Sequence, residues 1–371
     1  MSDLLLPDDL KPRDGRFGCG PSKVPSAALA RLAEVGDDLL GTSHRKPRVK
    51  DQVRRLQEGL RELFSLPQDH EVLLTLGGAT AFWDAAAFGL VERRARHYVF
   101  GEFSSKFAKA TAAAPWLEDP EVVEGEFGQA PSVAPAAEGV DVQALTHNET
   151  STGVMQQVQR VDDALVLVDA TSGAAGLPVE VSQFDAYYFS LQKGLASEGG
   201  LTVALLSPAA VERIERIAAS ERYVPTFLDL ATALDNSRKH QTYNTPSVST
   251  VFLAAEQVDW CNETFGGLDG VVAAQREKSA VVYEWAQARD WASPFVTDAD
   301  ARSLVVATID LDAEVSADEV NAVLRANGIL DTDAYRKLGR NQLRIGMFPA
   351  VDRDDLEAYT ACVDWIIERL G

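Results

Sequence analysis

One lysine between two strand-like runs constrains this chain more than any other feature. Residues 185–190 and 201–206 are apolar and aromatic runs that predict two strands, and Lys193 lies between them among Ser, Gln and Gly residues. A short loop between two strands holds a lysine in place. Upstream, the apolar run 164–168 leads directly into Asp169. A buried strand therefore carries a carboxylate to its carboxyl end, where open α/β sheets bind ligands.

The pairing of Asp169 with Lys193 suits pyridoxal phosphate chemistry. The lysine amine can form a Schiff base with the cofactor aldehyde, and the carboxylate can keep the pyridine nitrogen protonated. Taken singly, each residue is more often structural, because most lysines lie on the surface and a strand-end Asp is often a helix N-cap. The prediction therefore depends on the other segments of the chain.

The composition indicates an ordinary globular protein. The chain has 371 residues, 46% of them hydrophobic, which is enough for about two domains. A formal net charge of −21 argues against nucleic acid or anionic membrane as partners. The acidic N-terminus does not resemble a secretory signal, and the three scattered cysteines predict neither a disulfide framework nor a metal site. We expect a cytoplasmic protein that binds no nucleic acid, no membrane and no metal.

A Gly-Gly-Ala-Thr turn connects a predicted strand at 71–76 to a helix that is expected to begin at about residue 81. Small residues at such a junction leave backbone N–H groups free to bind a phosphate at the positive end of the helix. Gly78, Ala79 and Thr80 are therefore candidate phosphate ligands. The turn has neither the Walker spacing nor the dinucleotide-binding spacing, and a lone Gly-Gly turn is more often structural.

Further candidate ligands follow other predicted strands or lie in loops. Phe103 comes after a strand at 97–100 and could lie flat against an aromatic ring. The polar cluster 147–153 follows a strand at 142–146, so its donors would reach the same sheet edge as the strand-end carboxylate. Thr245 precedes a proline that favours an extended backbone, in a loop suited to ligand contact. Each feature alone is more often a core residue or a polar turn.

Cationic residues gather at three places. His44 and Arg45 precede a helical pattern at about 49–64, where a helix N-terminus attracts anions. Arg344 alternates with apolar neighbours in a predicted strand, which suits a bidentate grip on a carboxylate. A cationic run such as the one around Arg45 is more often solvated surface, and a salt bridge explains Arg344 equally well. The loop before that strand adds Arg336, Lys337 and Arg340.

The order of the predicted elements indicates an α/β protein with two domains. Residues 1–16 are interpreted as a loose arm and 17–270 as a large domain. Residues 271–371 form a small C-terminal domain, within which 271–289 is a bridging helix. The segment 119–139, rich in Glu, Ala, Pro and Gly, is interpreted as an exposed connection.

As an ordered set, the motifs resemble those of a known family. They are Phe-Gly-Cys-Gly-Pro-Ser-Lys, Ser-His-Arg, Gly-Gly-Ala-Thr, Asn-Glu-Thr, Asp-Ala-Thr-Ser, Leu-Gln-Lys-Gly, Tyr-Asn-Thr-Pro and Leu-Arg-Ile-Gly, from about residue 16 to the C-terminus. The chain resembles the class V aminotransferases, within them the phosphoserine aminotransferase branch of actinobacterial type. The resemblance implies the type I pyridoxal phosphate transferase fold: a large mixed-sheet domain with helices on both faces, and a small αβ C-terminal domain.

The resemblance also implies cofactor contacts. It implies Lys193 as the catalytic Schiff-base lysine, Asp169 as the partner of the pyridine nitrogen and Phe103 as the residue stacked on the ring. Asn244 and Thr245 are implied to reach the cofactor phosphate from the neighbouring subunit, which makes the active unit a homodimer with shared active sites. The remaining implied contacts are Gly78, Ala79 and Thr80 at the phosphate, Thr150 and Gln192 at the ring substituents, and Thr171.

For the substrate, the resemblance implies Arg344 at the α-carboxylate and His44 with Arg45 at the distal phosphate or γ-carboxylate. Another branch of the family has an arginine where this chain has Thr80. That branch also has a His-Arg pair in the region where this chain has the cationic loop that ends at Arg340. The implied replacement for the missing arginine is this loop, and the sequence leaves open which of Arg336, Lys337 and Arg340 contacts the phosphate.

The implied reaction is the reversible transamination of 3-phosphohydroxypyruvate with glutamate, which gives O-phosphoserine and 2-oxoglutarate in serine biosynthesis. A further role in pyridoxine biosynthesis stays open. The nearest alternative is another class V aminotransferase, of the alanine–glyoxylate or serine–pyruvate type. A non-catalytic regulatory protein that binds pyridoxal phosphate is a second alternative. A cysteine desulfurase is disfavoured, because none of the three cysteines has the setting of a nucleophilic thiol.

Overall fold

The computed structural model describes residues 4–370. The helices within them are α1 (Ser26–Leu39), α2 (Pro47–Leu63), α3 (Gly78–Gly89), α4 (Glu102–Ala112), α5 (Pro208–Ala218), α6 (Leu230–Ser237), α7 (Val248–Phe265), α8 (Leu268–Gln287), α9 (Ala317–Ala326) and α10 (Arg353–Leu370). The strands are β1 (Glu71–Leu76), β2 (Ala95–Val99), β3 (Glu121–Glu124), β4 (Val142–Thr146), β5 (Asn148–Glu149), β6 (Val154–Met155), β7 (Leu165–Asp169), β8 (Ala186–Ser190), β9 (Leu201–Leu206), β10 (Ala292–Pro294), β11 (Val306–Leu311) and β12 (Gln342–Gly346). None of the described helices is both long enough and apolar enough to cross a membrane.

A seven-stranded mixed sheet forms the centre of the larger part of the molecule. Its strand order is β1-β9-β8-β7-β4-β2-β3, in which β9 runs antiparallel to both of its neighbours. The remaining neighbours pair in parallel, so β1, β2, β4, β7 and β8 all end at one edge. This arrangement brings the turns after these strands together, and the candidate site lies there.

Helices cover both faces of this sheet, which explains its continuous apolar strands. Successive side chains of a strand point to opposite faces. Accordingly Tyr187 and Phe189 pack into one core with α2 and α7, whereas Tyr188 packs into another core with α3 and α6. The rings of Phe82 and Tyr188 stack at 4.3 Å between centroids. The α/β class with helices on both faces of a large mixed sheet is confirmed.

A smaller antiparallel sheet, β10-β11-β12, forms a second core with α8, α9 and α10. Residues 4–16, the described part of the predicted arm, pack against this part of the molecule and are not loose. Leu6 is buried in its core, and the backbone N–H of Leu6 donates to Asn327 Oδ1 at 2.9 Å. Arg16 forms a parallel bridge with Leu330.

Two local elements differ from the sequence prediction. The segment 119–139 contains β3, which pairs in parallel with β2 at the edge of the large sheet. Helix α3 begins at Gly78 and not near residue 81. Residues 78–80 therefore form the first turn of the helix and do not precede it.

Candidate active site

A cavity of about 240 Å³ opens at the edge of the large sheet where its parallel strands end. The elements that line it are the first turn of α3, the ends of β7 and β8, and the loop after β4. The sequence-predicted cofactor residues that line it are Gly78, Ala79, Thr80, Phe103, Thr150, Asp169, Thr171, Gln192 and Lys193. The structure thus brings together predicted residues from five separate segments of the chain.

Lys193 lies in the loop between β8 and β9, with its side chain buried at the base of the cavity. Its Nζ donates to Thr150 Oγ1 at 3.3 Å and lies 5.5 Å from the centre of the Phe103 ring. Burial lowers the pKa of the amine to about 8, and the nearby Arg344 adds to the effect. A Cβ on Gly20 would lie 2.4 Å from Lys193 Cε, so only glycine fits there. The amine is thus confined, and it gives up its proton at a lower pH than a solvated lysine does.

Asp169 is the last residue of β7, and its buried side chain lines the cavity. Trp83 Nε1 donates to one carboxylate oxygen at 2.8 Å, and the N–H of Thr171 donates to the other at 3.0 Å. Burial raises the pKa of this carboxyl group, whereas these hydrogen bonds and the charge of Lys193 oppose the rise. The carboxylate is thus held in one orientation, ready to pair with a protonated ring nitrogen. Trp83 was not predicted, although it lies one turn beyond the Gly-Gly-Ala-Thr motif.

The N-terminus of α3 faces the cavity. Gly77 and Gly78 have φ values of 102° and 70°, a left-handed backbone that favours glycine. The N–H of Ala79 donates to Ser190 Oγ at 2.7 Å, which anchors the turn to the end of β8. The positive end of the helix dipole and its N–H groups favour an anion here.

The loop after β4 lines another wall through hydrogen bonds to Ser172. Asn148 Nδ2 donates to Ser172 Oγ at 2.9 Å, and the Thr150 hydroxyl donates to the same oxygen at 2.8 Å. Within residues 4–370, Asn148 Oδ1 and Gln192 Oε1 are buried without a hydrogen-bond partner. Because buried polar atoms normally have partners, these two indicate a polar ligand in the cavity.

Arg344 lies beside the cavity on β12. Its Nη1 donates to the backbone oxygen of Thr150 at 3.3 Å, and its guanidinium lies 5.3 Å from the centre of the Tyr335 ring. Its Nε is buried and has no partner within the described chain. Thr150 therefore contacts both this guanidinium and the amine of Lys193, which places the two cationic side chains next to each other.

The three cations of the loop before β12 differ in their partners. Arg340 forms a two-pronged pair with Asp310, with one hydrogen bond of 3.0 Å, and lies over the Phe295 ring. Lys337 pairs with Glu102. Arg336 is exposed and makes no ion pair with any residue in 4–370. Arg340 is thus engaged elsewhere, and Arg336 is the cation most free to meet a substrate.

Four of the predicted residues that do not line the cavity of their own chain belong to two segments that lie together elsewhere. His44 Nδ1 and Thr245 Oγ1 lie 3.2 Å apart in a separate cluster, which places the segment of His44 and Arg45 next to that of Asn244 and Thr245. Arg45, Asn244 and Thr245 are exposed, whereas His44 is buried with Nε2 unpartnered within the described residues. Burial lowers the pKa of His44, and Arg45 adds to the effect. A role for these residues at a cavity requires a second subunit.

Comparison with known proteins agrees with this geometry. Residues 17–332 match the model of the family described as aminotransferase class-V. The chain belongs to the class V aminotransferases. It is 58% identical to a phosphoserine aminotransferase of a Nocardioides species over 100% of both chains. It is 57% identical to that of Corynebacterium glutamicum, over 99% of this chain and 98% of the relative.

Among solved structures, a phosphoserine aminotransferase from Cytophaga hutchinsonii matches with a TM-score of 0.88. The match covers 96% of this chain and 100% of that chain at 24% identity, and it shows a shared fold. The predictions of an aminotransferase and of the type I transferase fold are confirmed.

The cavity of this class V aminotransferase fits pyridoxal phosphate in the chemistry of its donors. A helix N-terminus offers N–H groups to a phosphate, and Asp169 offers a carboxylate to a ring nitrogen. Lys193 offers a buried amine to an aldehyde. Gln192, whose Oε1 has no hydrogen-bond partner within residues 4–370, also lines the cavity and offers a polar group to the ring substituents.

Proposed function

We propose that this chain is a phosphoserine aminotransferase. It transfers the amino group of glutamate to 3-phosphohydroxypyruvate, and the products are O-phosphoserine and 2-oxoglutarate. The reaction belongs to serine biosynthesis in the cytoplasm. The observation that carries the proposal is the full-length identity of 57 to 58% with two proteins of that name. The cavity around Lys193 supplies the chemistry that such a reaction needs. A second role in pyridoxine biosynthesis would use the same site.

Bound pyridoxal phosphate supplies an aldehyde that takes up amino groups and a ring that accepts the electrons released at the substrate carbon. The first turn of α3, with Gly78, Ala79 and Thr80, holds its phosphate. Phe103 lies against the ring, and Thr150, Thr171 and Gln192 contact its substituents. Asp169 keeps the ring nitrogen protonated. The two hydrogen bonds to its carboxylate oxygens fix the orientation that this contact needs.

Lys193 moves the proton at the substrate carbon that carries the amino group. An amine with a pKa of about 8 accepts and returns a proton near neutral pH more readily than a solvated lysine. Thr150 and Gly20 confine the amine, so that it reaches one side of the bound substrate. Lys193 would thus have both roles, attachment of the cofactor and proton transfer.

Arg344 binds the α-carboxylate, which every substrate of the reaction carries. Arg336, in the loop before β12, binds the distal anionic group of the substrate. Lys337 binds the same group when the salt bridge between Lys337 and Glu102 breaks. His44 and Arg45 contribute to the same end of the substrate from a second subunit. Both amino-acid substrates have two anionic ends, which fits a site with cations on two sides.

The proposed active unit is a homodimer with shared sites. The cluster of His44 with Thr245 lies at the surface, outside the cavity of its own chain. The nearby side chains of Tyr243 and Phe227 are 48% and 49% exposed. Contact between large apolar side chains and water is unfavourable, and a second subunit that covers them would remove that contact. Asn244 and Thr245 would then meet the phosphate of the partner's cofactor. The domain limits proposed for each subunit are 17–270 and 271–371.

The test is product analysis with glutamate as the donor and three competing acceptors: 3-phosphohydroxypyruvate, glyoxylate and pyruvate. We expect phosphoserine to dominate at equal acceptor concentrations, and Lys193→Ala to form none. Equal or greater yields of glycine or alanine would favour the alanine–glyoxylate type of enzyme. A wild-type protein that binds the cofactor but transfers no amino group would favour a regulatory protein.

A further inference from the structure

Helix α4 begins beside the cavity, and its first three N–H groups find partners in one other segment of the chain. A helix leaves these groups without partners of its own. The N–H of Glu102 donates to Ser151 Oγ at 3.2 Å. The N–H groups of Phe103 and Ser104 donate to one carboxylate oxygen of Glu149, at 3.1 and 3.0 Å. The loop after β4 therefore caps the helix that carries the aromatic ring.

The Glu149 side chain is fully buried, and it forms no salt bridge with any residue in 4–370. Its carboxylate instead accepts further hydrogen bonds from the hydroxyls of Ser151 at 2.7 Å and Ser104 at 3.0 Å. Burial raises its pKa, and these donors act in the opposite direction. A buried carboxylate without a cation is tolerated only when hydrogen bonds satisfy it, as here.

Gly101, which precedes α4, is shaped to this carboxylate. A Cβ at Gly101 would lie 2.2 Å from Cγ of Glu149. The φ of Gly101 is 176°, an extended backbone that any residue adopts, so contact and not backbone strain requires glycine. The helix start and Glu149 are therefore packed together without space for one more carbon atom.

The residue after Glu149 contacts both charged groups of the site. Thr150 Oγ1 accepts from the amine of Lys193, and its backbone oxygen accepts from Arg344. The ring of Phe103 lies 5.5 Å from the same amine. One carboxylate thus ties the aromatic ring to the threonine that connects the lysine with the arginine.

We propose that Glu149 is a positioning residue that fixes Phe103 and Thr150 relative to Lys193. The inference rests on the proposed use of pyridoxal phosphate, because Phe103 and Thr150 act only when a ring lies in the cavity. Glu149 itself touches neither cofactor nor substrate. Phe103 belongs to α4 and Thr150 to the loop after β4. Glu149 keeps the Phe103 ring and the Thr150 hydroxyl at a fixed position relative to each other.

Two variants test this role, one by removing the charge of Glu149 and the other by displacing its side chain. Glu149→Gln keeps the shape of the side chain but turns an N–H group toward N–H donors. Gly101→Ala keeps every charge and displaces Glu149 by contact alone. Glu124→Gln makes the same chemical change at an exposed residue of β3 and is the matched control. For each full-length protein, freed of cofactor, we would measure the dissociation constant for pyridoxal phosphate, the pH midpoint of the visible absorbance of the bound cofactor, and the unfolding temperature.

We expect Glu149→Gln and Gly101→Ala each to weaken cofactor binding roughly 10-fold and to shift the pH midpoint, because a charge-assisted hydrogen bond and its alignment are lost. Glu124→Gln should match wild type in both. The inference is overturned if both variants keep the wild-type affinity and midpoint, or if only their unfolding temperatures fall. If Glu149→Gln does not fold, Gly101→Ala and the milder Ser151→Ala decide between the same outcomes. A wild-type protein that binds no pyridoxal phosphate would overturn the proposed function and this inference with it.

Discussion

Burial of Lys193 sets the pH at which its amine becomes reactive. Its pKa falls from the ordinary 10.5 to about 8, so the unprotonated fraction rises through pH 8. We expect the rate at which cofactor-free protein takes up pyridoxal phosphate to rise with pH with a midpoint near 8. The visible absorbance of the bound cofactor measures this rate, with Lys193→Ala as the blank. A midpoint near 10 would mean that the amine is solvated.

The same shift in the pKa of Lys193 also affects the free energy of unfolding. The charged amine destabilises the folded protein, whereas a salt-bridged lysine stabilises it. Folding lowers the pKa, so the folded protein disfavours the charged amine. The unfavourable contribution is fully present below about pH 8 and fades as the pH rises toward 10.5.

Arg336 and Arg340 lie four positions apart in one loop, but only Arg336 is expected to read the substrate phosphate. Arg340 is already held by Asp310. Arg336→Gln should slow the half-reaction of phosphoserine roughly 10- to 150-fold more than that of alanine, since one charge-assisted contact is lost. Arg340→Gln should change both half-reactions alike and lower the unfolding temperature. A selective loss in Arg340→Gln would reverse the assignment.

Sequence reasoning finds residues whose chemistry is visible in their own segment. Lys193 lies in a loop bounded by two strands, and Asp169 ends a buried strand, so both are predictable. The partners that hold such residues are not. Trp83 and Asp169 are separated by 86 positions, and Glu149 lies 45 positions from Ser104. Only the folded sheet edge brings them together.

Among the elements, the first turn of α3 is the one assigned to the cofactor phosphate. Gly78→Ala should strain its left-handed backbone and weaken binding of pyridoxal phosphate roughly 2- to 5-fold more than binding of pyridoxal, because only the former has the anion that the helix end attracts. Gly266→Ala is the control, since it places alanine at a similar φ of 73°, in open space at the end of α7. If Gly78→Ala loses the same affinity for pyridoxal phosphate and for pyridoxal, the turn does not bind the phosphate.

Elements that rely on local periodicity are predicted well, as the strands at 71–76 and 201–206 show. β3 was missed because prolines and glycines surround it, and its place depends on pairing with β2, which lies 25 positions earlier in the chain. The start of α3 was placed late because glycines rarely begin a helix in an isolated peptide. Here the N–H of Ala79 donates to Ser190 Oγ, which anchors the start of the helix to the end of β8.

At the level of the whole molecule, the shared site predicts complementation between two defective subunits. Lys193→Ala lacks the amine, and the double variant Asn244→Ala/Thr245→Ala lacks the contacts given to the partner. Refolded together in equal amounts, they should recover about 25% of the wild-type activity, since half of the dimers are hybrids with one intact site of two. If the subunits exchange and no activity returns, the sites are not shared. A single chain could not reveal this, and its sequence suggested it only by resemblance.

The most direct measurement follows the visible absorbance of the cofactor-loaded protein through both halves of the reaction. Glutamate alone should remove the band, because the amino group passes to the cofactor and 2-oxoglutarate leaves. Added in stoichiometric amount, 3-phosphohydroxypyruvate should restore the band at a rate that glyoxylate and pyruvate do not approach. A colourless wild-type protein supplied with pyridoxal phosphate would contradict the account, and so would recovery that is equally fast with glyoxylate.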